Sequence, residues 1–107
     1  MRGPNPRDVW QVDLGLAAKL RPCLLLSDYP ADDELAPVVV IPHSTAVRGN
    51  RWEFPLSKPF LKPGVFHLRQ IQPVSLPRLE RKLGELTAAE FAALGSTLAR
   101  LLHLPVG

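Results

Sequence analysis

The chain has 107 residues, a usual size for one compact domain, and its 46% apolar residues can bury a core without cross-links. The single cysteine, Cys23, excludes an intramolecular disulfide and a cysteine-rich zinc site. No apolar stretch approaches the roughly 20 residues that span a bilayer, and Met1 is followed by Arg2 and Gly3 rather than an apolar signal core. We therefore expect one domain over residues 1–107 that is cytoplasmic and has no membrane partner.

Charge is distributed unevenly, although the formal net charge is only +3. Residues 1–42 contain four basic and six acidic side chains, whereas residues 43–107 contain nine basic and four acidic ones. A basic segment of this kind attracts phosphate groups. A solvated surface balanced by an acidic loop accounts equally well for the charge counts alone.

The first half of the chain is predicted to form strands. Twelve prolines and seven glycines divide the sequence into short segments. Residues 8–14 alternate between polar and apolar, and residues 21–27 form an apolar run sized for a buried strand. After an acidic loop over residues 30–37, the β-branched run 38–41 is the predicted central strand, and Pro42 is expected to end it.

Turn signals divide the next part of the chain. Gly49 and Asn50 predict a hairpin over residues 44–56. A Pro-Gly pair then leads into an alternating strand over residues 65–72. Residues 78–86 are predicted as a short helical turn followed by an edge strand.

The C-terminal segment predicts one long helix. Thr87 and Glu90 have the spacing of a capping box, and an apolar stripe follows at helical spacing: Phe91, Leu94, Leu98, Leu101 and Leu102. Pro105 ends the pattern, and His103 is expected to interact with the helix dipole. Packing of the stripe on the sheet is favoured over packing against a partner. The predicted fold is mostly β (α+β), a small barrel of about six strands with a C-terminal α-helix.

The sequence lacks the standard catalytic signatures. It contains no phosphate-binding glycine loop, no H-E-x-x-H, no G-x-S-x-G and no zinc spacing, so neither a metal nor a cofactor is predicted. RNA suits a protein with few scattered polar groups, because its own 2′-hydroxyl can attack the neighbouring phosphate. Such a protein positions the strand, assists proton transfer and stabilises the added negative charge.

Two strand ends provide candidate catalytic groups. Arg21 begins a buried strand, where its guanidinium can be held to stabilise phosphate, although a surface arginine without a role is the simpler interpretation. His43 follows the central strand and can exchange protons, while Ser44 or Thr45 can donate a hydrogen bond to phosphate. A turn with hydroxyl caps is the alternative there. His67 is a second candidate for proton transfer if it faces the same groove.

Candidate RNA contacts follow these groups. The amide of Gln70 can read a base edge or orient a phosphate. Trp52 can stack on unpaired bases with Arg48 and Arg51 beside it, whereas Phe54 is expected in the core.

Several runs occur in the order found in the MazF/PemK family, which the chain resembles over about residues 7–104: D-V-W-Q-V-D-L, R-P-C-L-L-L-S, V-V-I-P-H-S-T, V-R-G, Q-I and K-L-G, followed by a final helix. The resemblance implies an SH3-like barrel and a homodimer with RNA bound across its interface. It also implies metal-independent cleavage of single-stranded RNA by a toxin of a type II toxin-antitoxin system, inhibited by a small antitoxin protein.

The resemblance assigns roles to three residues. Arg21 matches the arginine taken as catalytic in the family. Ser44 matches the hydroxyl residue, usually threonine, that acts with it. Gln70 matches a glutamine that is commonly an RNA contact.

Three positions depart from the family pattern. Residues 16–20 are apolar where relatives often have a glycine-rich run with a substrate-contacting glutamate, and Arg69 replaces an acidic residue and adds positive charge for RNA binding. Arg7 replaces the glycine that usually precedes D-V-W. The lost acidic groups affect cleavage more than binding. Two alternatives therefore stay open: a non-catalytic barrel that inhibits a protein such as a topoisomerase, as CcdB-type poisons do, or a protein that only binds an antitoxin.

Overall fold

A computed structural model describes residues 3–15 and 19–105. The predicted departure in residues 16–20 falls mainly on residues 16–18, which lie outside the described residues. The elements in chain order are β1 (Asp8–Asp13), β2 (Leu20–Leu25), β3 (Val38–Ser44), β4 (Glu53–Pro55), β5 (Val65–His67), β6 (Gln72–Val74), β7 (Leu79–Glu85) and α1 (Ala88–Leu101).

The strands form one seven-stranded antiparallel sheet in the order β4-β5-β3-β2-β1-β7, and β6 pairs with β3. Side chains of β2 alternate between two buried clusters, since Leu24 packs in one and Cys23 and Leu25 in the other. Both faces of the inner strands are therefore buried. The predicted mostly β (α+β) class with a C-terminal helix is confirmed.

The prediction that Pro42 ends the central strand is wrong, because β3 continues to Ser44. Along one edge, β3 pairs with β6 at residues 38–40 and with β5 at residues 43–44. Pro42 lies where the neighbouring strand changes. A residue without a backbone N–H is tolerated there because, on this edge of β3, Pro42 pairs with neither β5 nor β6.

The predicted strand over residues 65–72 is interrupted. A 3-10 turn over Leu68–Gln70 separates β5 from β6. Leu68 is fully buried at this turn, and the N–H of Ile71 donates to its carbonyl oxygen. The pairing register with β3 shifts by three residues across the turn, the number of residues that the turn contains. A bent strand thus covers both ends of β3.

The predicted hairpin over residues 44–56 is also wrong in its pairing. Strand β4 pairs with β5 and not with β3. Gly49 does turn the chain, with φ of +84°, but residues 45–52 form a loop. The predicted turn and edge strand near residue 80 are confirmed, since a 3-10 turn over Leu76–Arg78 precedes β7 at the end of the strand order.

Helix α1 packs on the sheet as predicted. Thr87 Oγ1 accepts from the Glu90 N–H at 3.1 Å, and the Glu90 carboxylate accepts from the Thr87 N–H at 2.8 Å. Leu94 is fully buried, and Phe91, Leu98 and Leu101 pack against the same cluster: Val9, Leu24, Ile41, Phe66, Leu68 and Leu86. Leu102, predicted on this face, is 43% exposed. No helix in residues 3–15 and 19–105 is long and apolar enough to cross a membrane.

Arg7 has a left-handed backbone, with φ of +77°. This conformation favours glycine, the residue that the resemblance places here, and costs a residue with a Cβ atom. The contacts of Arg7 hold it in place: its Nε donates to the Leu86 carbonyl oxygen at 3.0 Å, and its guanidinium pairs with Glu85 at 3.7 Å. The arginine side chain thus ties the start of β1 to the end of β7.

Candidate functional site

Strands β2 and β3 bring Arg21 and Ser44 to the same edge of the sheet. In their antiparallel register Cys23 lies opposite Pro42. This is the last residue pair of the two strands, and continuing the same register by two residues along each strand leads to Arg21 and Ser44. Both line one open groove of about 340 Å³. The two side chains assigned to catalysis by resemblance therefore line the same groove.

This first groove holds most of the candidate catalytic groups. Its walls include His43 and Thr45 from β3 and the turn that follows, besides Arg21 and Ser44. Lys62 and Arg81 also line this groove and add positive charge. A groove with three cationic groups and two hydroxyls can bind phosphate oxygens.

Two further depressions continue from the first groove. One of about 220 Å³ shares Arg21 and Ser44 with it and adds Arg48, His67 and Gln70. The next, of about 390 Å³, shares those three added residues and extends to Asn50, Trp52 and Arg69. We call these three connected depressions the basic groove. They bring together all the predicted site residues except Arg51.

Arg51 lies outside the basic groove. Its guanidinium carbon is 4.6 Å from the centroid of the Trp52 ring, and it lines a separate depression with Arg100 and His103. Trp52, predicted to stack on unpaired bases, packs partly against the core and also lines both this depression and the basic groove. Phe54 packs against the core as expected.

The hydroxyl proton of Ser44 is available to donate a hydrogen bond to a ligand. Its Oγ accepts the Ala46 N–H at 3.0 Å, the capping turn that was the alternative interpretation of this segment. The hydroxyl proton stays available, because accepting a hydrogen bond does not use it. Gly64 packs beneath: a Cβ atom there would overlap the Ser44 carbonyl oxygen. The missing side chain at position 64 lets β5 approach Ser44 closely.

His43 is a buried imidazole at the wall of the basic groove. It is only 2% exposed and packs edge-on against Phe66, with ring centroids 5.0 Å apart. Burial lowers the pKa of His43 below its ordinary value of 6.5, and the charge of His67 acts in the same direction. Among the described residues, its Nε2 has no hydrogen-bond partner. The ring is therefore neutral near pH 7, with an unsatisfied nitrogen.

Glu53 organises the loop that carries Arg48, a role that sequence patterns did not reveal. Its buried carboxylate accepts the backbone N–H groups of Arg48 at 2.9 Å, Gly49 at 2.6 Å and Asn50 at 3.3 Å. The Arg48 N–H is the largest cause that lowers the pKa of Glu53 below 4.5, and the other two N–H groups and His67 add to it against the opposing effect of burial. The carboxylate thus caps three successive amides.

His67 braces the other end of this loop. Its Nε2 lies 3.1 Å from the Ala46 carbonyl oxygen, which requires Nε2 to be the protonated nitrogen. Its Nδ1 lies 3.7 Å from a carboxylate oxygen of Glu53. His67 faces the basic groove, as the proton-transfer alternative required, but both ring nitrogens face protein groups. Its observed contacts are structural.

The basic side chains of the groove lack acidic partners. Within residues 3–15 and 19–105, no carboxylate lies within 4.0 Å of five cationic groups: Arg21, Arg48, Lys62, Arg69 and Arg81. The same part of the chain places no three His, Cys, Asp or Glu side chains together as metal ligands. The site is thus a surface of guanidinium and ammonium groups without carboxylate partners, with the hydroxyls of Ser44 and Thr45 and the neutral imidazole of His43 beside them.

Comparison with known proteins identifies a class of small toxins. The family model for the PemK-like, MazF-like toxin of type II toxin-antitoxin systems matches residues 5–102. The chain therefore belongs to the PemK/MazF toxin family. No curated protein sequence matches the chain.

Solved structures agree with this assignment. An endoribonuclease in complex with its cognate antitoxin, from a mycobacterial species, is 25% identical with a TM-score of 0.80, covering 98% of this chain and all of that one. The Mycobacterium tuberculosis toxin MazF-mt6 is 27% identical with a TM-score of 0.78, covering 94% and 100%. A MazE-MazF crystal structure from Deinococcus radiodurans, 18% identical with a TM-score of 0.78, covers 95% and 97% and shares the fold. These likenesses confirm a MazF-like fold.

Proposed function

We propose that this protein is a metal-independent endoribonuclease that cleaves single-stranded RNA through attack by the RNA's own 2′-hydroxyl. The observation that supports this most directly is that Arg21 and Ser44 line one groove whose cationic groups have no carboxylate within 4.0 Å in the described residues. Free cations in a concave site favour a polyanion, and two adjacent donors favour a phosphate that gains charge.

The proposed reaction needs no group beyond the side chains described. The 2′-oxygen forms a bond to the adjacent phosphorus, and the bond from phosphorus to the 5′-oxygen breaks. The guanidinium of Arg21 and the hydroxyl proton of Ser44 bind the non-bridging oxygens, where negative charge increases in the transition state. The products are a 2′,3′-cyclic phosphate and a free 5′-hydroxyl.

We propose His43 for proton transfer. The lowered pKa keeps the imidazole neutral near pH 7, so it can accept the 2′-hydroxyl proton once RNA binding uncovers its Nε2, which is buried and has no partner among the described residues. His43 then gives this proton to the 5′-oxygen that leaves phosphorus, so the ring returns to its neutral form. A substrate hydroxyl would also satisfy a buried nitrogen that otherwise loses its hydrogen bond.

The remaining groove residues are proposed to hold the strand. Arg48 and Arg69 bind phosphates, Gln70 and Thr45 contact base edges or phosphates, and Trp52 offers an aromatic face to an unpaired base.

We also propose, from family membership, that a cognate antitoxin inhibits this toxin and that the active form is a cytoplasmic homodimer. A related endoribonuclease has been solved with its cognate antitoxin. That complex supports an antitoxin partner for this chain by analogy.

The test is cleavage of a mixed-sequence RNA by purified protein in excess chelator. We expect fragments that end in cyclic phosphate, and Arg21→Ala should reduce the rate at least about 100-fold, the usual cost of losing a donor to a developing oxyanion. Arg78→Ala is the matched control, because Arg78 pairs with Asp13. Full activity of Arg21→Ala would refute the assignment.

Growth assays separate the alternative functions. Growth arrest on induction with RNA left intact in vitro would favour inhibition of a protein target. No growth effect and no cleavage would favour a protein that only binds an antitoxin.

A further inference from the structure

A fourth depression lies on the far side of Trp52 from the catalytic pair. It has a volume of about 260 Å³ and is lined by Arg51, Trp52, Arg100 and His103. Arg51 and Trp52 are the last residues of the loop before β4, while Arg100 is in the last turn of α1 and His103 follows the helix. Two separate parts of the chain therefore place their basic side chains around one aromatic ring.

The positive charge around this depression exceeds what is needed to balance the partial negative charge at the C-terminus of α1. The C-terminus of a helix carries roughly half a negative charge, which Arg100 alone is sufficient to balance. Arg51 adds a second full positive charge from another element. In the part of the chain that the structure describes, no carboxylate lies within 4.0 Å of either guanidinium. The depression therefore keeps a net positive charge.

The depression is also held in shape. The Arg51 guanidinium lies over the Trp52 ring at 4.6 Å, and the ring packs against the core cluster. The backbone of Trp52 is fixed at both ends, since its N–H donates to Asn50 Oδ1 at 2.8 Å and its carbonyl oxygen accepts the Leu68 N–H at 3.0 Å. A cation fixed in this way loses little freedom when it binds an anion.

Trp52 connects this depression to the basic groove, because it lines the groove's last part beside Arg69 and Gln70 as well. A strand that leaves the groove can thus pass over an aromatic ring and reach two further guanidinium groups. Alternation of an aromatic face with backbone cations is the pattern that binds single-stranded nucleic acid. An acidic peptide would use the cations but would gain less from the ring.

We propose that Arg51, Arg100 and His103 form a distal subsite that binds a backbone phosphate of the RNA strand beyond the catalytic groove. The proposal rests on the proposed function, because it extends the path of the same substrate. The subsite contributes to binding of long RNA and leaves the chemistry at Arg21 unchanged. Its effect therefore depends on RNA length.

The test compares a short, about 4-nucleotide, and a long, about 12-nucleotide, mixed-sequence RNA, lengths near the lower end and in the upper part of the roughly 4–16 nucleotides that small single-strand binders cover. Every 2′-hydroxyl is methylated so that no cleavage occurs. Arg100→Gln should weaken binding of the long RNA about fivefold and lower the slope of log affinity against log salt by about 0.7, the value for one lost phosphate contact. Binding of the short RNA should stay within twofold of wild type.

Lys82→Gln is the matched control, because it removes one charge from a side chain that pairs with Asp8 and Glu85. This variant should bind the short and the long RNA with the same affinity as wild type. Equal losses for the two RNA lengths, or no loss for Arg100→Gln, would overturn the subsite while leaving the proposed function intact. Weaker binding of an oligoglutamate peptide by Arg100→Gln without an effect on RNA would assign the depression to an acidic protein instead. Failure of wild-type protein to bind either RNA would refute the proposed function itself.

Discussion

The basic side chains of this protein form two groups that differ in their partners. Four pair with carboxylates: Arg7 with Glu85, Lys58 with Glu90, Arg78 with Asp13, and Lys82 with Asp8 and Glu85. Those of the basic groove have none within the described ranges 3–15 and 19–105. Arg51 and Arg100 also have no carboxylate within 4.0 Å in these ranges, but they lie outside the groove. The net charge of the chain therefore says little about its binding surface, because the paired group is neutralised locally and most of the other described basic side chains line the basic groove.

Strand β7 shows how neighbouring residues enter different groups. Arg81 and Leu83 line the basic groove, whereas Lys82 between them pairs with Asp8 and Glu85. Alternation of side chains along a strand accounts for this separation. Two adjacent basic residues thus have different expected roles, and substitution can test the difference directly.

The largest expected effect comes from removing two groove charges. Arg48→Gln with Arg81→Gln should weaken RNA binding about 100-fold, which is about 2.7 kcal/mol, and should lower the salt slope by about 1.4 for two lost phosphate contacts. Arg78→Gln with Lys82→Gln removes the same charge from the paired group and should change affinity less than about threefold. Equal losses in titrations of methylated RNA would mean that net charge, and not placement, governs binding.

A smaller effect is expected from loosening the loop that presents Arg48. Glu53→Gln removes the charge that three backbone N–H groups share, so hydrogen exchange at residues 48–50 should accelerate at least about tenfold. Because the pKa of Glu53 is lowered, its stabilisation is full above pH 4.5 and is lost as the pH falls through the lower folded value. The wild type should therefore approach the variant in acid. Glu85→Gln is the control, and unchanged exchange in Glu53→Gln would contradict the capping role.

The smallest effect concerns His43 and separates groove chemistry from stability. Its folded pKa lies below 6.5, so the unfolded chain takes up the proton first, and the free energy of unfolding should fall as the pH drops below 6.5 towards the folded value. His43→Leu removes both ring nitrogens and should flatten this dependence in urea titrations. Ser44→Ala, which removes no titrating group, should keep the wild-type dependence. An unaltered slope in His43→Leu would assign the titration to another group.

Sequence patterns predicted those parts of the fold that depend on local order. The alternation in β1, the buried run in β2 and the capping box of α1 each have a signal within a few residues. The strand break at residues 68–70 and the passage of β3 through Pro42 have no local signal. Both depend on which strands lie beside β3, a property of the assembled sheet.

The candidate site also contains residues that the sequence predicts and residues whose roles depend on the assembled fold. The positions of Arg21 and Ser44 at strand ends and the family resemblance both suggest them, and the register of β2 with β3 gives the physical reason why they line the same groove. Glu53 and His67 were missed in their bracing roles, because a carboxylate that caps backbone amides makes no pattern of side-chain types. Arg51 was grouped with Arg48 by sequence proximity, yet the turn between them directs the two side chains to different depressions.

Cys23, two residues after Arg21 on β2, is a natural probe of how often this strand opens. Its side chain is fully buried, and burial raises the pKa of the thiol to about 12. Thiolate is the form that alkylating reagents attack, so the folded protein is nearly inert to them. Cys23 is the only cysteine of the chain, so alkylation reports on this one position. The labelling rate therefore measures how often the strand that holds Arg21 opens, and no probe has to be introduced.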